Sequence, residues 1–356
     1  MYAVALGLRG KTMNLIKQKL TELDPDLLFA VILSLCVFSF FAFSNPLFFT
    51  LNAGFSIMER FAVLGLVGLA LTLCIIAGEI DLSIGSNAAL SAVIVVRLTD
   101  SMGAFPAIGI GVLCATLIGL TQGYLIAYLK VRAIVLTVGT LMLLRGVALF
   151  AADEKTVMLT DFRMTDFLQE KIWIFFSPAS LFVVALFIIV GVFIKYTKYG
   201  REIYAIGGAR KEAIASGVNL KRPMMLVFAL SGFCAGMGGA IIGLRSGTAQ
   251  PLALQYLLLA ATVAAFIGGV NILGGKGSVI GAAVGVLTVN FLNTGLVYEV
   301  VPSYVVQIYL GILLLIVIIF QTLSILYDKG KHRRLLLHDT ELTKQKMMDA
   351  YKSVLK

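Results

Sequence analysis

Stretches without a single charged residue recur from one end of this chain to the other, and they restrict its fold more than any other feature. They occupy residues 27–58, 61–78, 101–129, 172–194, 223–244, 246–275, 277–298 and 300–327. A bilayer's hydrocarbon core is about 30 Å thick, and about 20 apolar residues cross it as a helix. Two shorter runs, 82–96 and 133–144, can cross only as parts of a bundle. All of these segments are solidly apolar rather than alternating with period two, which excludes a transmembrane β-barrel. The fold class is therefore an all-α polytopic membrane protein. Composition agrees: 59% of the 356 residues are hydrophobic and 13% charged, against about 25% charged in soluble domains. One water-soluble core of this size would leave much of that apolar surface uncovered, and lipid is the partner it fits.

A formal charge of +10 raises the question of nucleic acid, but the Lys and Arg residues lie in short blocks between apolar runs. Loops retained in the cytoplasm carry such blocks, so no nucleic-acid partner is expected. Arg9, Lys11, Lys17 and Lys19 precede the first run, and residues 329–334 are equally basic. Both termini are thus expected in the cytoplasm, which requires an even number of crossings. Ten helices are predicted, near 27–44, 57–77, 83–98, 105–129, 133–152, 179–195, 223–244, 253–270, 277–293 and 304–326. This order puts the mainly acidic segment 153–171 outside and the strongly basic segment 195–222 inside. The chain divides into a cytoplasmic N-terminal segment 1–26, a transmembrane domain 27–327 and a cytoplasmic tail 328–356. The first run lacks a small-residue cleavage site and is expected to stay as a helix.

Cys36, Cys74, Cys114 and Cys234 all fall inside apolar runs without metal-ligand spacing and read as small core residues. His332 and His338 lie in the tail and join no constellation. Gly232 and Gly236, Gly239 and Gly243, and Gly281 and Gly285 are each four apart, which sets small residues on one helix face for close packing. There is also an internal echo. Residues 77–85 and 268–275 each end an apolar helix in glycine, interrupt it with polar residues and resume it, as the broken helices of repeated transporter halves do.

Ionisable groups within such a chain call for an explanation. Glu79 and Asp81 lie between two apolar runs, bracketed by Gly78 and Gly85. They mark either a polar element at a translocation path or gate, or a turn in which Asp81 or Ser83 caps the next helix. Arg145 either pairs within the bundle or snorkels to the surface. Asn290, Asn293 and Thr294 fall at helical spacing and either line a polar path or bond a neighbouring helix.

No catalytic, cofactor-binding or metal-ligating residue is expected, since HExxH and GxSxG are absent. A P-loop reading of residues 274–278 fails: Val270 stands where the first glycine belongs, and Gly277 follows Lys276. If ATP drives this protein, another subunit binds it. The longest inside connection, 196–223, contains Gly207, Gly208, Ala209, Arg210, Lys211, Glu212, Ala213, Ile214, Ala215, Ser216, Gly217 and Val218. These predict a short helix preceded by Gly208 and ended by Gly217. Such an element between two membrane helices is either a handle for a soluble partner or a basic loop serving orientation alone.

These residues resemble the permeases of bacterial ribose-type ABC importers, a family that includes ribose, xylose, arabinose, galactose and autoinducer-2 permeases. The resemblance rests on 78–86, 123–129, 136–140 with 144–146, 199–201 with 204–208, 216–218, 249–251, and 268–269 with 274–277, in one order over some 200 residues. It implies a type II importer fold in the bacterial inner membrane and a dimer with a second copy or a paralogue, moving a sugar-like solute. It also implies a two-domain ATPase, carrying ATP and magnesium and docked on 207–218, and an extracytoplasmic solute-binding protein. Two departures stand out. The family usually has Asn after the paired glycines and Glu-Ala-Ala beyond it, where this chain has Ala209 and Lys211, Glu212, Ala213. A Tyr-Glu-Leu stretch common in the family is Leu257, Leu258, Leu259 here, which implies an altered gate or one half of a heterodimer.

Overall fold

The computed structural model of the chain describes residues 25–323, apart from residue 253, and residue 326. The basic N-terminal block and the tail with His332 and His338 lie outside the described residues. In chain order the helices are α1 (Pro25–Ser44), α2 (Leu51–Ile76), α3 (Ile84–Met102), α4 (Ala104–Leu129), α5 (Ala133–Ala151), α6 (Arg163–Gln169) and α7 (Pro178–Tyr196). They continue with α8 (Lys198–Gly208), α9 (Arg210–Ala215), α10 (Lys221–Ser246), α11 (Gln255–Ile267), α12 (Val279–Tyr298) and α13 (Ser303–Leu323). Two short strands, β1 (Val157–Met158) and β2 (Thr248–Ala249), pair antiparallel with Val157 opposite Ala249. By its contacts the chain forms one unit to Leu310 and a second from Gly311.

Every predicted crossing coincides with a helix, but eight are both long and apolar enough to span a bilayer. The exceptions are α3 and the 13-residue α11. Among the differences in boundary, the largest is at α2, predicted from 57 and observed from Leu51. Glu59 and Arg60 interrupt the apolar run without interrupting the helix, and Thr50 caps it by accepting the Ala53 amide. The helix predicted to end at 98 runs on through Asp100 to Met102, where Gly103 at φ 86° turns the chain. Arg145 lies on an exposed face of α5, so α5 is longer than its apolar run.

Helices α2 and α3 form the interior, and α10 packs across both and along α4. The glycine pairs lie in these seams. A Cβ on Gly232 would stand 2.4 Å from the Ala115 carbonyl oxygen, and one on Gly239 2.0 Å from that of Ala88. On α12, a Cβ on Gly285 would meet the Ala264 carbonyl oxygen of α11 at 1.9 Å. Only hydrogen at these positions lets the backbones meet, which replaces the hydrophobic drive that lipid does not supply. Cys74 and Cys234 are buried in this interior, as read from the sequence, whereas Cys36 is exposed on α1.

Candidate functional site

The connection between α7 and α10 folds as a helical hairpin. Thr197 accepts the Gly200 amide and starts α8, whose Ile203 and Ile206 turn inward while Lys198 and Arg201 face out. Gly208 is the last residue of α8, and Ala209, with non-helical φ −150° and ψ 75°, separates it from α9. The predicted short helix is therefore α9, preceded by a second helix that the sequence reading did not separate. Ala213 is its buried anchor; Arg210, Lys211, Glu212, Ile214, Ala215 and Ser216 are exposed. Gly217 at φ 85° ends it. Ile214 shows half its surface among charged neighbours.

The α8 end of this hairpin meets both helix interruptions at once. Gly78, with φ 77°, ends α2, and the second interruption turns at Gly269, Gly274 and Gly275 with φ of 80°, 82° and 71°. The Gly275 amide donates to the Ile76 carbonyl at 2.9 Å, which joins the two interruptions directly. Gly207 is wedged between them: a Cβ there would lie 1.8 Å from the Ile76 oxygen and 2.7 Å from the Gly275 nitrogen. The Tyr204 hydroxyl donates to the Gly277 carbonyl at 2.8 Å, and partial burial raises its pKa, so it remains a donor. Arg210 Nη2 reaches Glu79 Oε1 at 2.5 Å. Residues 77–85 and 268–275, paired in sequence as an echo, are thus neighbours in space around one point of the hairpin. Gly207 is a packing residue of this junction, and of the residues 207–218 the exposed part begins at Gly208.

Glu79 and Asp81, two residues apart, do different things. Asp81 is buried, and its Oδ1 accepts the Ser83 amide at 2.9 Å and the Ser83 hydroxyl at 2.6 Å. Its Oδ2 accepts the Ser231 hydroxyl of α10 at 2.9 Å. Gln122 of α4 donates to Ser83 Oγ at 2.8 Å, and Thr137 of α5 sits beside the Ile80 carbonyl. Ser83 occupies the cap position of α3 but makes no side-chain cap bond; its hydroxyl is spent on Asp81 instead. The carboxylate therefore ties the first interruption to α10, and α10 in turn holds α4. Asp81→Ala leaves three donors without their acceptor, and each buried polar group left unsatisfied costs about 1–3 kcal/mol. Thermal unfolding of the purified chain in detergent is expected to show a large loss for Asp81→Ala. Asp81→Asn, which keeps one oxygen and lets Ser231 reverse its bond, loses less than half as much.

Asn290 and Thr294 are buried on α12, and the Asn290 amide nitrogen and Thr294 hydroxyl have no partner in the described residues. Asn293 is half-buried beside them. Neither group bonds a neighbouring helix, and the structure does not bring them to the hairpin junction. Leu257 is buried on α11 while Leu259 is exposed.

A second charged site was missed in the sequence. Glu59 is 2% exposed on α2 and stands 2.5 Å through Oε2 from Arg245 Nε, without the alignment of a hydrogen bond. Its Oε1 accepts the Ser177 hydroxyl, and Ser177 also caps α7 through the Ser180 amide. Its signal was the charged pair between two apolar runs too close together to leave room for a loop. Among the described residues, no three His, Cys, Asp or Glu side chains gather where a metal could be held.

A profile of the family described as branched-chain amino acid transport system / permease component matches residues 54–318. The ribose import permease protein RbsC of Haemophilus influenzae is 31% identical over 280 residues, covering 77% of this chain and 86% of that protein. The D-allose transport system permease protein AlsC of Escherichia coli K12 is 30% identical over 282 residues, covering 79% and 86%. The autoinducer 2 import system permease protein LsrD of Escherichia coli SMS-3-5 is 31% identical over 293 residues, covering 79% and 87%. No solved structure matches the chain. The profile takes in the interior helices, both interruptions and the hairpin, and with them this chain belongs to the transport-system permease component family.

Proposed function

We propose that this chain is the membrane permease subunit of an ABC importer that carries a sugar-like solute across the bacterial inner membrane. ATP is hydrolysed by a separate subunit gripping α9, and an extracytoplasmic binding protein delivers the solute. The observation that carries this reading is the hairpin junction: an exposed helix whose root touches both interrupted helices. A partner that moves α9 moves two broken helices together. The end of the bundle holding α8 and α9 also bears Lys130, Arg132, Lys195, Lys198, Arg201, Lys211, Lys221, Arg222 and Lys276, which supports placing it, and both termini, in the cytoplasm. The relatives' names, covering ribose, D-allose and autoinducer 2, support a polyol-like cargo. Glu79, Asp81 and Ser83 belong to a gate region at the first interruption. Asn290 and Asn293 supply polar groups to the path, with the buried, unpaired Asn290 amide meeting solute only once α12 moves against its neighbours.

Replacing residues 209–218 by a flexible linker of equal length removes α9 and keeps the Gly207 junction. The variant is expected to insert into membranes at the wild-type level, to lose the co-purifying ATPase and to lose uptake of D-ribose or D-allose. Retained uptake with α9 gone would reject the handle.

A further inference from the structure

On the α8 side the hairpin is held by apolar packing of Ile206 with Met224 and Phe228 and by the Tyr204 hydroxyl on the Gly277 carbonyl of the second interruption. Toward the first interruption, and the Gly275 bonded to it, the contacts are of two mechanical kinds. Gly207 against Ile76 and Gly208 against Gly275 are close steric contacts. Such contacts resist compression and offer little resistance to being pulled apart, because dispersion attraction between a few atoms is small. The Arg210–Glu79 pair, at 2.5 Å, is different: a charge-assisted bond resists separation. Among the described residues it is the one ion pair between the hairpin and a membrane helix or its interruption, since Lys198 pairs within α8 to Glu202. Glu79 is 13% exposed and Arg210 42%, so the carboxylate is sheltered at the junction while the guanidinium belongs to the docking surface.

Its position in the chain matters as much as its chemistry. Arg210 is the first residue of α9 and is separated from the α8 wedge by Ala209 alone. Glu79 follows the turn at Gly78, donates its amide to the Cys74 carbonyl of α2 and precedes Asp81, which is pinned to Ser231 on α10. A pull on Glu79 therefore acts on a short segment that joins α2 to α10. We propose that the Glu79–Arg210 pair is the link that transmits withdrawal of α9 into the first interruption, with Glu79 as a positioning residue for transport. This rests on the importer reading above.

A partly exposed pair contributes little to folding, so Glu79→Gln is expected to fold and assemble. The test uses the full chain purified with its ATPase, Cys36 and Cys114 replaced by alanine, and a reporter Leu82→Cys, which lies between Asp81 and Ser83 and is half-buried. The reading is the ratio of maleimide labelling rates between nucleotide-free and ATP–vanadate-trapped complexes. Glu79→Gln and Arg210→Gln are each expected to shrink the nucleotide effect about threefold or more with the co-purified ATPase unchanged, the scale of one exposed ion pair. The exchange Glu79→Arg with Arg210→Glu restores it to within about twofold, as a coupled pair requires. A full nucleotide effect in Glu79→Gln, loss of the ATPase from that variant, or an exchange no better than the single changes would overturn the link. A wild-type complex whose Leu82→Cys labelling ignores nucleotide would overturn the importer coupling as well, which separates the two failures.

Discussion

Gly207→Ala is expected to abolish coupling, even though alanine is the better helix former. Within a helix the exchange should stabilise by about 1 kcal/mol. Here the added carbon would stand 1.8 Å from the Ile76 carbonyl oxygen and 2.7 Å from the Gly275 nitrogen, both backbone atoms already bonded to each other. Backbone cannot rotate aside as a side chain can, so α8 must back away from the interruptions. Overpacking of this kind costs about 1–3 kcal/mol or more, and each 1.4 kcal/mol lost from the productive geometry is about tenfold in the equilibrium. Gly208→Ala is the matched control. Its carbon would lie 3.6 Å from Gly275 Cα, an ordinary contact. The expected result is ATP-dependent uptake reduced at least about tenfold in Gly207→Ala and near wild type in Gly208→Ala. Equal behaviour of the two would remove the wedge from the account.

Arg245→Ala is expected to be the most destabilising change at the opposite end of the bundle. It leaves the Glu59 carboxylate buried with the Ser177 hydroxyl as its remaining partner. Breaking a buried pair from one side costs about 3–5 kcal/mol, whereas replacing both members by apolar residues is often near neutral. The double change Glu59→Leu with Arg245→Leu should therefore be clearly more stable than Arg245→Ala alone. Unfolding of the purified proteins in detergent measures the difference. If the double change is as damaging as the single one, the pair itself, and not the stranded charge, holds α2 to α10.

The helices were legible because lipid imposes a simple rule on sequence: long apolar runs, glycine at close seams and basic blocks at one end. The rule weakens where protein replaces lipid. Glu59 and Arg60 break a run but not α2, because Glu59 finds Arg245 inside the bundle. Arg97 ends a run but not α3, because helix termination there depends on the backbone of Gly103 and not on charge. The short helix α9 was readable from Gly217 and the charged residues before it. The hairpin's junction was not, since nothing local to Gly207 says that Ile76 and Gly275 are its neighbours. Glu79 and Asp81 looked like one acidic element at sequence distance two; the turn after Gly78 sends one to the hairpin and the other to α10. Separations of 131 and 150 residues in those contacts lie beyond any local pattern.

On the reading proposed above, this chain moves solute only when a separate ATPase works on its hairpin. Proteoliposomes containing the permease, its ATPase and its binding protein, with ATP supplied on the hairpin side, test it most directly. Accumulation of radiolabelled D-ribose or D-allose that requires ATP and survives a proton uncoupler is the predicted result. Accumulation by the permease alone, collapsing when ion gradients are dissipated, would contradict it.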